Sequence, residues 1–282
     1  MNDLVHLVKN LASVPSFSSW EEVIHPMIKE HLKPIEHIQW HHVPDNNLIA
    51  VIPGNADKKP VALSAHLDKI NHFGEHPPST LPVQITPEKA IGQMDDAVGL
   101  AICIAMALQS QSDDFPPLLL LFSEMEESYG LKHHPHLLKN EGKGYSHGLG
   151  AKRISEYLLE HDMVPKCVIT IDTTPLFKGQ PGVALYSSHW EFTNAVVTEE
   201  EKEHTLKMCD ELLSIDPGIR MANNHNDYLQ YGLHLNKNGG NPVPSLAIEP
   251  AIHPYHQKNE SVYIEDVERV FEIIQQWLRE ST

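Results

Sequence analysis

Arginine is scarce in this chain of 282 residues: only Arg153, Arg220, Arg269 and Arg279 occur. With 21 Lys and Arg against 38 Asp and Glu, the formal net charge is −17. Nucleic-acid binding needs a basic surface that displaces counterions from phosphates, so that class of partner is excluded. An anionic membrane surface is excluded for the same reason. Cysteine is scarce too. Cys103, Cys167 and Cys209 are scattered and odd in number, which argues against a disulfide framework, and they read as small buried hydrophobes. No run approaches the ~20 apolar residues of a membrane span. The opening MNDLVHLVKN lacks the basic start and apolar stretch of a secretory leader, so the expected location is the cytoplasm.

What is abundant is histidine, with 20 residues. At that frequency metal-like spacings arise by chance, so each histidine has to be judged by its place in the fold. The hydrophobic share of 41% is enough for a substantial core, and the length fits one large α/β domain.

Residues 3–13 repeat apolar positions at helical spacing, and Pro15 with the following serines stops them. A second helix starts after Ser19 and ends before Pro34. HIQWHHV and NLIAVIPG read as a strand pair around PDNN. From there VALSA (61–65), LLLLFS (118–123), CVITI (167–171) and SLAIEP (245–250) are short uninterrupted apolar runs, as in strands buried on both faces. Helical patterns lie between them at 96–110, 150–162 and roughly 199–213, and VYIEDVERVFEIIQQWLRE makes a long last helix. Alternation of this kind predicts an α/β three-layer sandwich with a mixed, largely parallel sheet, in a single domain spanning 1–282.

In such sheets ligands bind beyond the carboxyl ends of the strands. VALSA is followed by His66 and, two residues on, Asp68. LLLLFS is followed by Glu124, Glu126 and Glu127, CVITI by Asp172, and SLAIEP by His253 and His256. IGQMDDAVG sets Asp95 and Asp96 at a helix start, where Asp95 by itself would serve as an N-cap. Five segments thus aim carboxylates or imidazoles at one sheet edge, and their repulsion needs a cation. Histidine nitrogen mixed with carboxylate oxygen suits zinc, with cobalt or manganese as substitutes. The donors exceed one tetrahedral site and fit two ions sharing a carboxylate, about 3.5–4 Å apart. One of the adjacent glutamates would bind metal and its neighbour would act as general base.

These residues resemble the co-catalytic di-zinc exopeptidases: tetrahedral, glutamyl and leucyl aminopeptidases and their aminoacylase and carboxypeptidase relatives. The resemblance runs over essentially the whole chain. In AHLD it implies His66 as a ligand of the first metal, with Asp68 orienting it. In GQMDDAVG it implies Asp95 as the bridge, next to a cis peptide. Glu126 would be the base, Glu127 a ligand of the second metal, and Asp172 would complete the first set. In YHQKNE the H-x-x-x-E spacing to Glu260 selects His256 over His253 for the second. HNDYLQYG resembles a substrate-side loop with Asp227 as a contact.

There are departures. The glycine of EESYG comes one residue late, and 131–148 reads as a local insertion beside the site. Only 29 residues separate His66 from Asp95 and 84 separate Asp172 from His256, which leaves no room for the lid domain of some relatives. The expected activity is that of a cytoplasmic aminopeptidase-like hydrolase acting on peptides or amino-acid-derived substrates, in an assembly of several copies as in many relatives. An N-acyl amino acid deacylase or carboxypeptidase is the second reading, and it needs a cation for the substrate carboxylate, for which Arg220 is the candidate. A non-catalytic metal-binding or interaction protein is the third.

Overall fold

A strand with no polar residue to spare has no wet face, and the four apolar runs behave accordingly. Every residue of 61–66, 118–123, 168–171 and 245–250 is buried. The computed structural model describes residues 2–112, 114–193, 196–237 and 241–280. Helices α1 (Asn2–Ala12) and α2 (His25–Leu32) precede the hairpin of β1 (Gln39–His42) and β2 (Leu48–Ile52). Then come β3 (Val61–His66), the short strands β4 (Gln84–Ile85) and β5 (Lys89–Gly92), and α3 (Ala97–Gln109). β6 (Leu118–Ser123), α4 (Ser128–His133), α5 (Leu149–Glu160), β7 (Val168–Ile171) and β8 (Val183–Tyr186) follow. The described chain ends with α6 (Glu199–Ile215), β9 (Arg220–Ala222), α7 (Asp227–Leu235), β10 (Ser245–Pro250), β11 (Glu260–Tyr263) and α8 (Ile264–Glu280).

Eight strands form one sheet in the order β1-β2-β6-β3-β7-β10-β8-β9. Its middle, β6-β3-β7-β10, is parallel, while β2 and β8 flank it antiparallel. The sheet is therefore mixed and largely parallel, as expected. Parallel pairing sets His66 opposite Ser123, so the ends of neighbouring strands open on the same edge. α3 is buried nearly all round because it lies under the sheet centre, packed with α1 and α8 in the larger core. α5 and α7 cover the opposite face. Among the described residues no helix is long and apolar enough to cross a membrane.

Two readings need correction, and one small sheet had no signal in the sequence. Val262 and Tyr263 belong to β11, and the last helix begins at Ile264. β11 pairs with β5 and β5 with β4 in a second sheet whose short strands carry no clear period of their own. HNDYLQYG is not a loop: Asn226 caps α7, accepting the Tyr228 N–H at 3.0 Å, and Asp227 is the helix's first residue.

Candidate metal centre

The edge reached by β3, β6, β7 and β10 carries the acidic cluster. At the end of β3, the His66 Nδ1 lies 3.0 Å from the carbonyl oxygen of Asp68. A carbonyl can only accept, so Nδ1 carries the proton and the Nε2 lone pair faces the opposite way. Nε2 points to Asp95 Oδ1 at 3.0 Å and Asp172 Oδ1 at 3.7 Å. The Asp68 carboxylate lies behind the imidazole, 3.4 Å from Nδ1. It accepts the Ser18 hydroxyl at 2.7 Å and the backbone N–H groups of Glu126 and Glu127 at 3.0 and 3.1 Å. One buried aspartate thus aligns the histidine and both glutamates. Met125, at φ 55°, supplies the left-handed kink after β6, and its N–H is held by the buried Glu21. Asp68→Ala should weaken metal binding about 10–100-fold, measured as the zinc dissociation constant, because orienting partners fix their ligands.

Asp95 occupies the centre. Its Oδ1 faces His66, while its Oδ2 lies 3.9 Å from His256 Nε2. His256 Nε2 is also 3.2 Å from Glu127 Oε2, and this buried nitrogen has no hydrogen-bond partner among the described residues. Donor atoms of His66, Asp95 and Glu127 lie within 4.8 Å of one another, as do those of His66, Asp96 and Asp172. Asp96 is nevertheless the poorer donor of the adjacent pair. Its Oδ1 caps α3 by accepting Gly99 N–H at 2.7 Å, and its Oδ2 accepts His66 N–H at 3.3 Å. The helix N-cap is therefore Asp96, not Asp95, which leaves Asp95 free to face both histidines. A side chain at Gly99 would strike Asp96 and the Ile171 carbonyl, so glycine is required there. The Asp95-Asp96 peptide is cis.

So many acids in one buried place repel each other. Burial and then the Asp172 charge push Asp95 up to about 6. Glu127 stands well above the usual carboxylate range through burial, then Asp95 and Glu126, and Glu126 does so chiefly through burial. Burial lowers His256 to about 4, so it is a neutral donor. In His66 burial opposes the charge, but hydrogen bonds to Asp172, Asp68 and Asp95 prevail and raise it. Two imidazoles and several carboxylates that cannot comfortably ionise together, with an orphaned buried nitrogen among them, are a donor set that fits divalent ions.

Other residues of the site have no signal in the spacing. Lys69 is fully buried next to Asp68, donating to Ser16 Oγ at 2.9 Å and to the Leu11 carbonyl at 3.3 Å. Burial lowers it to about 8, against the pull of Asp96, Asp68, Glu260 and Asp95, so the cluster holds a cation of its own. Glu260 accepts the N–H groups of Met94 and Asp95 at 2.9 and 3.2 Å and of Gln257 at 3.3 Å, clamping the central aspartate to the His256 loop. Its spacing from His256 was legible, but this role was not. Tyr255 stacks on His256 with ring centroids 3.6 Å apart. Glu124, third of the glutamates, faces away and binds Asn46, Asn47 and Arg153.

Asp227 is buried, bonded to Ser123 through Oδ2, with Oδ1 unpartnered among the described residues. Burial raises it to about 7. Arg220 is not brought to the cluster: it is exposed on β9, the outermost strand. His253 is exposed, and its N–H pairs with Ser261. A cavity of about 850 Å³ lies where β7 and β10 begin, at the opposite end of the sheet, lined by Cys167, Pro244 and Trp277 among others and by none of the cluster.

A model of peptidase family M28 matches residues 47–265, more than three quarters of the chain and every member of the cluster. The chain belongs to peptidase family M28. It is thus a peptidase of a metal-dependent family, and the M28 span carries the His/Asp/Glu groups that could hold the ion. Among solved structures, the TET1 peptidase of Pyrococcus horikoshii is similar, with a TM-score of 0.66 and 13% identity over 98% of this chain and 99% of that one. An aminopeptidase of the archaeon Desulfurococcus kamchatkensis gives 0.66 and 12%, over 99% and 95%. The aminopeptidase PepT of Bacillus cereus gives 0.63 and 13%, over 99% and 98%. At such identities the likeness is one of fold. The TET1 peptidase can assemble into a tetrahedron or a large octahedral shell. No curated protein matches the chain.

Proposed function

We propose that this M28 member is an aminopeptidase that removes the N-terminal residue of peptides at a two-ion centre. The observation that carries the reading is Asp95, whose two oxygens face two different histidines. His66 and Asp172 would hold one ion and His256 and Glu127 the other, with Asp95 shared; zinc suits this donor set, and cobalt or manganese could substitute. When bound, such a pair acidifies a water and stabilises charge developing on the amide oxygen.

The chain's own residues do the rest. Glu126 accepts the proton of the attacking water and returns it to the leaving nitrogen. Its raised proton affinity suits a group that must give the proton back. Asp68 positions His66 and both glutamates. Asp227, whose Oδ1 has no hydrogen-bond partner among the described residues, supplies an acidic contact for the substrate amine.

The deacylase or carboxypeptidase reading loses Arg220, which sits three strands from β7. A non-catalytic role is disfavoured because every residue that the proposed ligand set and base would need is present. The protein would act as a single catalytic domain in the cytoplasm, with the 131–148 segment beside the site and several copies assembled. The test compares a free-amino peptide with its N-acetylated form on the zinc-loaded protein. Release of the first residue from the free peptide alone supports the proposal; hydrolysis of the acetylated form alone moves the assignment to a deacylase.

A further inference from the structure

The cluster is closed on most sides. The side chains of His66, Asp95, Asp172 and Glu127 are 2–9% exposed, whereas that of His256 is 23% exposed. Of these five side chains His256 is thus the one most open to solvent, and whatever flanks it borders the open side of the cluster.

Three segments that are distant in sequence meet there. The Tyr129 ring is 5.8 Å from His256, and it also lies 6.1 Å from His72, 4.4 Å from His133 and 5.8 Å from His134. Lys258, two residues beyond His256, places its Nζ 4.7 Å over the Phe73 ring. Lys258 and His134 are both near enough to His72 for their charges to disfavour its protonation, after the larger effect of burial. His72 Nε2 is itself buried and has no hydrogen-bond partner, and exposed Lys258 has no ion pair, among the described residues. In a chain of net charge −17, Lys258 and the imidazoles of His72, His133 and His134, none of them in an ion pair among the described residues, form an unusual wall beside His256. Holding an unpaired lysine over an aromatic ring leaves its charge available to an incoming anion.

We propose that Lys258, with His72 and His134, forms a carboxylate-receiving wall at the mouth of the site, so that the preferred substrates are short peptides carrying a carboxylate just beyond the scissile bond. The inference rests on the aminopeptidase reading. It replaces Arg220 as the cation that meets a substrate carboxylate, and it places that cation on the core itself. The carboxylate has two possible sources, a free C-terminus close to the cut or an acidic side chain next to it.

Binding separates this inference from the function it rests on. The zinc-loaded Glu126→Gln protein, which should bind without cleaving, is titrated calorimetrically with Leu-Gly-Gly and its C-terminal amide, then with Leu-Asp-amide and Leu-Asn-amide, and turnover of each is recorded separately on the unaltered protein. The wall predicts about tenfold tighter binding of the carboxylate-bearing member of at least one pair. The pair that shows the preference identifies the source. Lys258→Ala should erase the difference, and Lys258→Arg should restore most of it. Equal affinity within both pairs while Lys258 is in place, or a preference that survives adding Lys258→Ala, overturns the proposal. Absence of turnover with all four peptides would instead overturn the aminopeptidase reading, and the affinities would still report on the wall.

Discussion

Glu126→Gln should lower kcat by about 10²–10⁴-fold while the protein keeps its metal. General acid–base groups contribute in that range, and the substitution removes the proton acceptor without changing side-chain size. The distinction from a ligand is geometric. Glu127 Oε2 is 3.2 Å from His256 Nε2 and belongs to the converging donor set, whereas Glu126 is outside it. Both glutamates hang from Asp68 through their backbone N–H groups, so the loop keeps its shape when the Glu126 side chain changes. The measurements are steady-state kinetics on a free-amino peptide together with elemental analysis of bound zinc. A variant with full turnover would remove Glu126 from the mechanism. A variant that has lost its metal would make Glu126 a ligand.

Asp95→Ala should cost the protein both ions and all measurable turnover. Replacing any other donor should strip one side of the proposed pair, but Asp95 faces His66 with one oxygen and His256 with the other. The variant should carry no tightly held zinc after gel filtration, against two per chain in the unaltered protein. Ligand linkage supplies a second readout. An ion that binds only the folded chain raises its stability by about 4 kcal/mol when present at a thousand times its dissociation constant. Added zinc should therefore raise the melting temperature of the unaltered protein and leave that of Asp95→Ala unchanged. Loss of only one ion would show that the carboxylate is not shared.

Much of this centre could be read before any coordinates. Burial writes itself into local sequence: strands buried on both faces must be unbroken apolar runs, so β3, β6, β7 and β10 announced themselves and their ends located His66, the glutamates, Asp172 and His256. The short strands β4 and β5 and the three-residue β9 have too few residues to show a period, and α7 was hidden by the polar HND at its start. The roles of neighbours were equally hidden. Whether Asp95 or Asp96 caps α3 is decided by which carboxylate meets Gly99 N–H, and no spacing encodes that.

The sequence by itself determined the layered α/β fold, the edge at which the chemistry gathers and the residue types that gather there, because all three follow from local hydrophobic pattern and from what ends each strand. Only the tertiary structure decided how those residues are set against one another. It set Asp95 between two histidines, tied Glu260 to the Asp95 backbone, buried Lys69 among the acids, brought His72 and His134 to Tyr129 and set Lys258 over Phe73. Most of these contacts join segments tens to well over a hundred residues apart. Their geometry depends on strand order and helix packing, which no local window of sequence contains.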